Sequence, residues 1–203
     1  MKNLIGISGK LNSGKDTVAG YIRQLYPEYE LKSFAHKVKL IATLLTGIPV
    51  EKFSDMEFKK TVLPEEWHRI IRSNQYDHII FQEPLTVREM LQKIGTNCLR
   101  NNLHKDVWIN ALFADYRAST AMAAPAQSQW IITDVRFPNE AKAILDRGGI
   151  LIRMLRTVDN PNATHESETA LDDWTNWSHV IDNRDMTLEQ LQEKVKQIIS
   201  VYE

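Results

Sequence analysis

Two glycines separated by four residues, with a lysine directly after the second, constrain this chain more than any other feature of its sequence. Gly9 and Gly14 have this spacing, and Lys15 follows. Glycine lets the backbone wrap closely around a phosphate group, and the lysine can reach the β- and γ-oxygens. An apolar run at residues 4–8 precedes the motif and helical spacing of apolar residues follows it. This order of strand, loop and helix is the one that phosphate binding requires.

The position after the lysine departs from the usual pattern. Asp16 stands where serine or threonine normally binds magnesium, and Thr17 comes one place later. Nucleoside-monophosphate kinases commonly show the same shift, and the chain resembles them here. A chance glycine-rich turn is the alternative, but four specified residues in a strand–helix context argue against it. The motif alone does not separate a kinase from an ATPase or GTPase. The predicted ATP contacts are Gly9, Lys10, Asn12, Ser13, Gly14, Lys15, Asp16 and Thr17.

Strand and helix signals alternate along the rest of the chain. Further strands are predicted at residues 30–34, 130–133, 149–155 and 180–181, and helices between them, one of which runs from residue 107 to about 123. Alternation of this kind predicts a mostly parallel central sheet covered on both faces. We therefore expect an α/β, three-layer P-loop kinase fold in a single domain, residues 1–203. Residues 50–84 show no clear period and are predicted to be a variable insert.

Composition limits the range of partners. The 203 residues carry a formal net charge of −1, so no overall field draws the chain to nucleic acid or to a membrane surface. No apolar run approaches the roughly 18–20 residues of a membrane span, and no signal peptide is recognisable. The one cysteine, Cys98, cannot form an internal disulfide and is predicted to fill the core. We expect a cytoplasmic protein that binds neither nucleic acid nor membrane.

A second group of candidate residues follows the predicted strand at 130–133. Asp134 and Arg136 lie just beyond its carboxyl end, where open α/β sheets bind ligands. Asp134 is placed to hold magnesium, directly or through water. Arg136 could hold a phosphate through its planar guanidinium. A surface ion pair at a strand end is the alternative.

The helix that begins after Thr86 carries candidate substrate contacts. Thr86 and Glu89 form a predicted capping box. Arg88, Gln92 and Thr96 follow at intervals of four, so an α-helix would place them on one polar stripe. Such a stripe suits a monophosphate and a base, although a solvated helix face is the commoner explanation. Outside this helix, Trp108 could stack on a base or simply pack.

A polar segment after the strand at 149–155 is predicted to be a mobile lid, residues about 156–178. Arg153 and Arg156 flank the end of that strand, and phosphoryl transfer needs positive charge and exclusion of water around the moving group. An ordinary surface loop is the alternative. His165 has no second histidine or cysteine at ligand spacing, so it is not expected to bind a metal.

Together these segments resemble the deoxynucleoside monophosphate kinases of bacteriophages. The resemblance runs from near the first residue to the last helix, with no match at residues 50–84. The matching pieces are residues 13–17, Phe34, Ala35, Lys39, Val87, Arg88, Gln92, Gly95, Thr96, Trp108, Asp134, Arg136, His165, Ser167, Glu168, Ile181 and Asn183. The resemblance implies transfer of the γ-phosphoryl group of ATP to a deoxynucleoside 5′-monophosphate. It also implies Mg²⁺ at Thr17 and Asp134, a homodimer, and a bacterial host cytoplasm if the chain is phage-encoded.

The resemblance also assigns roles to residues. The implied catalytic residues are Lys15, Asp134, Arg136 and Arg156. The implied substrate contacts are Lys39, Arg88, Gln92, Gly95, Thr96, Trp108, Asp134 and Glu168. The chain departs from the family at Leu11 and Asn12, where basic residues are common. Arg153 or Arg156 would supply that charge instead.

Two other functions stay open at this point. Another small-molecule P-loop kinase, of the dephospho-coenzyme A or shikimate type, would share the loop and the fold. A nucleotide-switched binding module would share the loop alone, although the chain lacks an Asn-Lys-x-Asp guanine-reading motif.

Overall fold

The structure is a computed structural model that describes residues 2–10, 12–72, 79–116, 128–156 and 166–203. Two compact units make up the chain. The first unit comprises Met1–Phe34 and Ile109–Glu203, and the second comprises Ala35–Trp108.

Strands and helices alternate through most of the described chain. The strands are β1 (Leu4–Gly9), β2 (Glu30–Lys32), β3 (Arg69–Arg72), β4 (Ile79–Glu83), β5 (Trp130–Ile132), β6 (Ile150–Leu155) and β7 (His179–Asp182). The α-helices are α1 (Lys15–Leu25), α2 (Ala35–Thr46), α3 (Val87–Gln92), α4 (Val107–Phe113), α5 (Pro138–Leu145), α6 (Glu166–Thr169) and α7 (Leu188–Ser200). Three short 3₁₀ turns (Lys52–Ser54, Phe58–Lys60 and Glu65–Trp67) and one π-helix (Lys93–Arg100) complete the list.

A five-stranded parallel sheet forms the centre of the first unit. Its strand order is β2-β5-β1-β6-β7, and every described pairing within it is parallel. The strand that leads into the glycine motif, β1, is therefore central and has β5 and β6 as neighbours. Because parallel strands end at the same edge of a sheet, the residues that follow β1, β5 and β6 lie at one edge.

Helices cover both faces of this sheet. On one face, Ile5 and Ile7 of β1 are buried in a cluster with residues of α1 and α7. On the other face, Gly6 leaves room for α5, since a Cβ atom there would lie 2.7 Å from Cδ1 of Ile144. The sheet between two helical layers is the predicted three-layer α/β arrangement, and β1 is buried on both faces as its apolar sequence indicates.

The second unit has its own hydrophobic core. Ala42, Phe53, Leu63, Val87 and Met90 are buried together there, from α2, the segment after it and α3. The segment at residues 50–84, for which the sequence indicated no regular period, forms the three 3₁₀ turns and the antiparallel pair β3–β4. It therefore supplies Phe53 and Leu63 to this core.

The helix after Thr86 changes its geometry part-way. Its predicted capping box is present, because the Thr86 hydroxyl accepts from the Glu89 N–H and the Glu89 carboxylate accepts from the Thr86 N–H at 2.8 Å. At Lys93 the α-helix gives way to the π-helix. A π-helix bonds five residues apart rather than four, so the side chains beyond Lys93 rotate away from their α-helical positions. For this reason Cys98 is exposed, and the prediction that it fills the core is wrong.

The end of α4 differs from the prediction as well. The helix ends at Phe113, whereas the sequence predicted a helix to about residue 123. The rings of Phe113 and Tyr116 lie 6.2 and 4.9 Å from that of Trp130, centroid to centroid. The chain turns where these two rings reach β5, and residues 117–127 lie outside the described part.

No helix in the described ranges is long and apolar enough to cross a membrane.

Candidate active site

The first glycine of the motif ends β1 and has no room for a side chain. A Cβ atom on Gly9 would lie 2.2 Å from Oγ of Ser13 and 2.9 Å from Cβ of Met154 on the neighbouring strand β6. Ser13 itself is completely buried, and its backbone N–H donates to the carbonyl of Lys10 at 3.2 Å. The loop is therefore packed tightly against β6 at Gly9 and Ser13.

The second glycine begins α1 in a conformation that glycine favours. Gly14 has φ +91°, and Asn12, two residues earlier, also has a positive φ of 58°. The carbonyl of Gly14 accepts from the N–H of Val18 at 3.0 Å, which starts the helix. The loop therefore leads directly into the amino end of α1, where free N–H groups and the helix dipole favour an anion.

Lys15 lies in the first turn of α1 among several charged side chains. Burial lowers the pKa of its amine from 10.5. The negative charges of Asp16, Glu168 and Asp134 act in the opposite direction, whereas the positive charge of Arg136 adds to the lowering. Four predicted site residues are thus close enough to Lys15 to affect its protonation. A polyanion there would be drawn to a cation that is partly desolvated.

Asp134 follows β5 and is held by the end of β2. Its carboxylate accepts from the Ser33 hydroxyl at 2.9 Å and from the backbone N–H of Phe34 at 2.8 Å. Two donors on separate oxygens fix the orientation of the carboxylate.

Arg136 is oriented from two sides. Its backbone N–H donates to the Glu140 carboxylate at 2.9 Å, and Glu140 is buried at the start of α5. Nη1 of its side chain donates to the Ser167 carbonyl at 3.2 Å and to the Glu168 carboxylate, both on α6. The side chain of Glu168 is only 10% exposed. Glu168, for which a substrate contact was predicted, is therefore the partner of Arg136.

Arg153 lies on β6 and Arg156 directly follows this strand, and the surroundings of the two arginines differ. Arg153 donates to the Ser8 hydroxyl at 2.9 Å, pairs with Asp172 at 3.4 Å and lies 5.2 Å from the ring centroid of Trp177. Its side chain is 12% exposed, and burial lowers its pKa, although a guanidinium stays charged at neutral pH. Arg156 is exposed.

A shared carboxylate connects Arg153 to the phosphate loop. Asp172 also pairs with Lys10, 3.3 Å from its amine. The carboxylate of Asp172 thus holds Lys10, a predicted ATP contact, next to Arg153. Ser8 of β1 also contacts Arg153, through its hydroxyl. The ion pairs of Asp172 with Lys10 and with Arg153 are both partly exposed, so they contribute little to the free energy of unfolding. Their main effect is to orient the two cationic side chains.

Part of the predicted lid is described. Residues 166–178 contain α6 and the neighbouring indoles of Trp174 and Trp177, whose centroids lie 6.4 Å apart. Residues 157–165, which include His165, lie outside the described part of the chain, and so does Leu11 of the phosphate loop.

Six predicted substrate contacts belong to the second unit: Lys39, Arg88, Gln92, Gly95, Thr96 and Trp108. The amine of Lys39 donates to the Ser54 hydroxyl at 3.0 Å. The indole N–H of Trp108 donates to the carbonyl of Gly95 at 2.8 Å. Trp108 is only 6% exposed, which leaves little ring surface for stacking and supports a role in holding Gly95.

The predicted polar stripe spans the change from α-helix to π-helix. Arg88 and Gln92 lie on α3 and are partly exposed, whereas Thr96 lies in the π-helix and is buried. The N–H of Asn101 bonds the carbonyl of Thr96, five residues back. The spacing of four that placed these side chains on one stripe assumed a regular α-helix. The structure replaces that helix at Lys93, and π-bulges are frequent at functional sites.

Sequence reasoning left three contacts of the site unassigned. Ser33 orients Asp134, Asp172 pairs with Lys10 and Arg153, and Asn183 donates to the carbonyl of Ser13 at 3.0 Å. No local pattern indicates the first two. Asn183 is one of the residues that carry the family resemblance, and this was the only indication in the sequence that it belongs to the site.

Comparisons with known proteins identify the family of this chain. Residues 46–195 match the sequence model of the family described as deoxynucleotide monophosphate kinase. The chain belongs to this family. It is 30% identical over 204 residues to a putative deoxynucleotide monophosphate kinase of Acanthamoeba polyphaga mimivirus, covering 97% of this chain and 94% of that protein. It is 25% identical to the deoxynucleoside-5′-monophosphate kinase of Escherichia phage T5, over 76% and 78% of the two chains.

A third relative matches a shorter stretch. The deoxynucleotide monophosphate kinase of Enterobacteria phage T4 is 25% identical over 120 residues, which is 59% of this chain and 48% of that protein. Membership of the deoxynucleotide monophosphate kinase family confirms the prediction of a phosphotransferase with nucleotide substrates. The parallel sheet and its helical layers confirm the predicted fold class.

Proposed function

We propose that this chain transfers the γ-phosphoryl group of ATP to the phosphate of a deoxynucleoside 5′-monophosphate and forms the diphosphate and ADP. The observation that carries the proposal is the group of charges around Lys15. A desolvated lysine at the amino end of α1, affected by Asp134, Arg136 and Glu168, is suited to a triphosphate that changes its charge distribution during reaction.

The first unit is assigned the donor nucleotide. Residues 9–17 would hold the phosphates of ATP through backbone N–H groups, with Lys15 on the β- and γ-oxygens. The pair of Lys10 with Asp172 is partly exposed, so the amine could exchange the carboxylate for a phosphate oxygen at little cost. Arg153 and the exposed Arg156 would supply the charge that family relatives carry within the loop.

The second unit is assigned the acceptor nucleotide. Arg88 would bind the acceptor phosphate through its guanidinium, with Lys39 beside it. Gln92 and Thr96 would contact the base or the sugar. The hydrogen bond from Trp108 to Gly95 supports a fixed backbone at the point where the helix is widened.

The reaction needs positioning and neutralisation of charge rather than a general base. An oxygen of the acceptor phosphate, already anionic near neutral pH, would attack the γ-phosphorus in line as the bond to the β,γ-bridging oxygen breaks. Lys15 would stabilise the charge that develops on the leaving ADP. Arg136 would stabilise the transferring group, and Glu168 and Ser167 keep its guanidinium oriented.

The donor set at the loop fits magnesium. The carboxylate of Asp134 and the hydroxyl of Thr17 are hard oxygen ligands of the type that Mg²⁺ prefers, and Mg²⁺ commonly takes few protein ligands beside substrate phosphates. When bound, the ion would offset negative charge on the β- and γ-phosphates. Ser33 and the N–H of Phe34 would keep the carboxylate of Asp134 oriented for this role.

A homodimer and a place in the cytoplasm are part of the proposal through the family resemblance. Light scattering coupled to size exclusion would test the first. A mass that corresponds to one 23.5 kDa chain at micromolar concentration would contradict it.

Release of ADP from ATP, measured with a panel of acceptors, tests the proposed function. The panel contains dAMP, dCMP, dGMP and dTMP, their ribonucleotide forms, dephospho-coenzyme A and shikimate. We expect at least one deoxynucleoside monophosphate to accelerate ATP turnover more than the ribonucleotides, dephospho-coenzyme A and shikimate do. Faster turnover with dephospho-coenzyme A or shikimate would indicate another small-molecule kinase. Failure of every acceptor would indicate a nucleotide-switched binding module.

A variant and a matched control test the assignment of the acceptor nucleotide to the second unit. Arg88→Lys removes the planar fork and should raise the KM for the deoxynucleoside monophosphate about tenfold or more, with the KM for ATP unchanged. Arg69→Lys alters an exposed arginine of the same unit, paired with Glu83, and should leave both values unchanged. Equal KM values in wild type and Arg88→Lys would remove Arg88 from the acceptor site.

A further inference from the structure

Asn183, the residue directly after β7, is anchored against the phosphate loop. Its backbone N–H donates to the carbonyl of Leu155 at the end of β6, at 2.8 Å. Its side-chain amide donates from Nδ2 to the carbonyl of Ser13, at 3.0 Å across 170 residues of sequence. The residue is 7% exposed. A short buried amide that is bonded through both its backbone and its side chain has little freedom to move.

The hydrogen bond determines the orientation of one peptide group. A trans peptide is planar, and its carbonyl and N–H point in opposite directions. Because the carbonyl of Ser13 points at Asn183, the N–H of Gly14 points away from it. Loops of this type bind phosphate through backbone N–H groups, so the direction of this N–H matters for binding.

Gly14 by itself does not hold this peptide in one orientation. Gly14 has φ +91° and no Cβ atom, and Asn12 has φ 58°. A glycine is nearly as stable with negative as with positive φ, so rotation of the Ser13–Gly14 peptide meets little steric resistance of its own. A rotated peptide would turn the carbonyl oxygen, rather than the N–H, toward a bound anion and would repel it.

The geometry points to Asn183 as a positioning residue of the donor site, one that holds the Ser13–Gly14 peptide so that the Gly14 N–H faces the nucleotide phosphates. The inference rests on the proposed function, in which residues 9–17 hold ATP. The close approach of the Asn183 amide to Gly14 supports it, since a Cβ atom on Gly14 would lie 2.7 Å from Nδ2 of Asn183. The amide thus occupies the space that the glycine leaves.

Two variants of Asn183 remove the hydrogen bond in different ways. Asn183→Asp keeps the size of the side chain but replaces the donor by an oxygen that repels the Ser13 carbonyl. Asn183→Ala removes the donor without adding charge. The matched control is Asp182→Asn, a change of one carboxylate to an amide at the neighbouring position, whose exposed side chain pairs with Arg184.

The test measures ADP binding by calorimetry, the KM values for ATP and for the acceptor, and the thermal midpoint of unfolding. We expect Asn183→Ala to weaken ADP binding about tenfold and Asn183→Asp to weaken it further. The KM for ATP should rise with the dissociation constant of ADP, while the KM for the acceptor stays constant. Asp182→Asn should match wild type in all of these.

Several results would overturn the inference. One is a folded Asn183→Asp protein that binds ADP as tightly as wild type. Another is an equal rise in both KM values that follows a fall in the thermal midpoint, which would indicate a structural role alone. If Asn183→Asp does not fold, Asn183→Ala decides by the same measurements. A wild-type protein that binds no ADP would instead refute the proposed function, and the inference would fall with it.

Discussion

Replacement of Gly9 by alanine tests whether the phosphate loop depends on close packing against β6. The added methyl group would lie 2.9 Å from Cβ of Met154 and 3.1 Å from Cβ of Ser13, two atoms close to the backbone that a rotamer change cannot move. It would also lie 2.2 Å from Oγ of Ser13. Carbon atoms at optimal separation are about 3.5–4.0 Å apart, so β1 or the loop must shift.

The size of the effect follows from the cost of overpacking. A methylene forced into a well-packed interior typically costs about 1–3 kcal/mol, against a total stability of about 5–15 kcal/mol for a domain. We therefore expect Gly9→Ala to fold and to lose about 1–3 kcal/mol. Because the loop moves as well, the KM for ATP should rise about tenfold or more, whereas the KM for the acceptor should not change.

Gly20→Ala is the matched control. Gly20 lies within α1, and among the described residues no atom outside the adjoining backbone of that helix comes within 4 Å of a Cβ atom built there. Alanine is about 0.8–1.0 kcal/mol more favourable than glycine in a helix interior. This variant should therefore be stabilised by up to about 1 kcal/mol, with ATP turnover unchanged.

Urea denaturation gives the free energies of unfolding, and steady-state kinetics give the two KM values. A Gly9→Ala protein with the stability and the ATP KM of wild type would show that the loop is not packed as described. A loss of stability in Gly20→Ala as large as that in Gly9→Ala would refute the steric reasoning, because the two sites would then respond to alanine alike.

Three further predictions concern single contacts. Lys15→Met should lower kcat at least about a hundredfold. Burial lowers the pKa of Lys15 from 10.5, so just below that pH the unfolded chain binds more protons than the folded chain. The free energy of unfolding of the wild type should therefore rise with pH in this range. Urea denaturation should show no such rise from this group in Lys15→Met. Thr86→Ala removes a capping box and should cost about 1 kcal/mol of unfolding free energy, whereas the same change at the exposed Thr169 should cost less. Phe53→Ala empties a fully buried position of the second unit and should cost about 3–5 kcal/mol in the same assay, and a loss below 1 kcal/mol would contradict that packing.

Much of the fold could be predicted because its signals are local. The apolar run of β1, the glycines of the loop and the capping residue Thr86 each determine the conformation of a few neighbouring residues. Hydrogen bonds of this range form within one turn, so the sequence is sufficient to locate them. The alternation of strands and helices then leaves few arrangements other than a covered parallel sheet.

Predictions failed where packing overrides local preference. The helix after Thr86 has a regular apolar pattern, yet it widens at Lys93, and this exposes Cys98. The helix at residue 107 ends early because the rings of Phe113 and Tyr116 meet β5. The early end of the helix at residue 107 has no signal in the residues nearby, because Trp130, which these rings contact, is distant in sequence.

The sequence by itself determined the phosphate loop, the order of its elements and the residue types available for phosphoryl transfer. The tertiary structure decided which of these residues act on one another. Strand order places β1 between β5 and β6, and only then do Asp134 and Arg136 come near Lys15. Asn183 contacts Ser13 for the same reason, because the sheet brings together the carboxyl ends of strands that lie far apart in the chain.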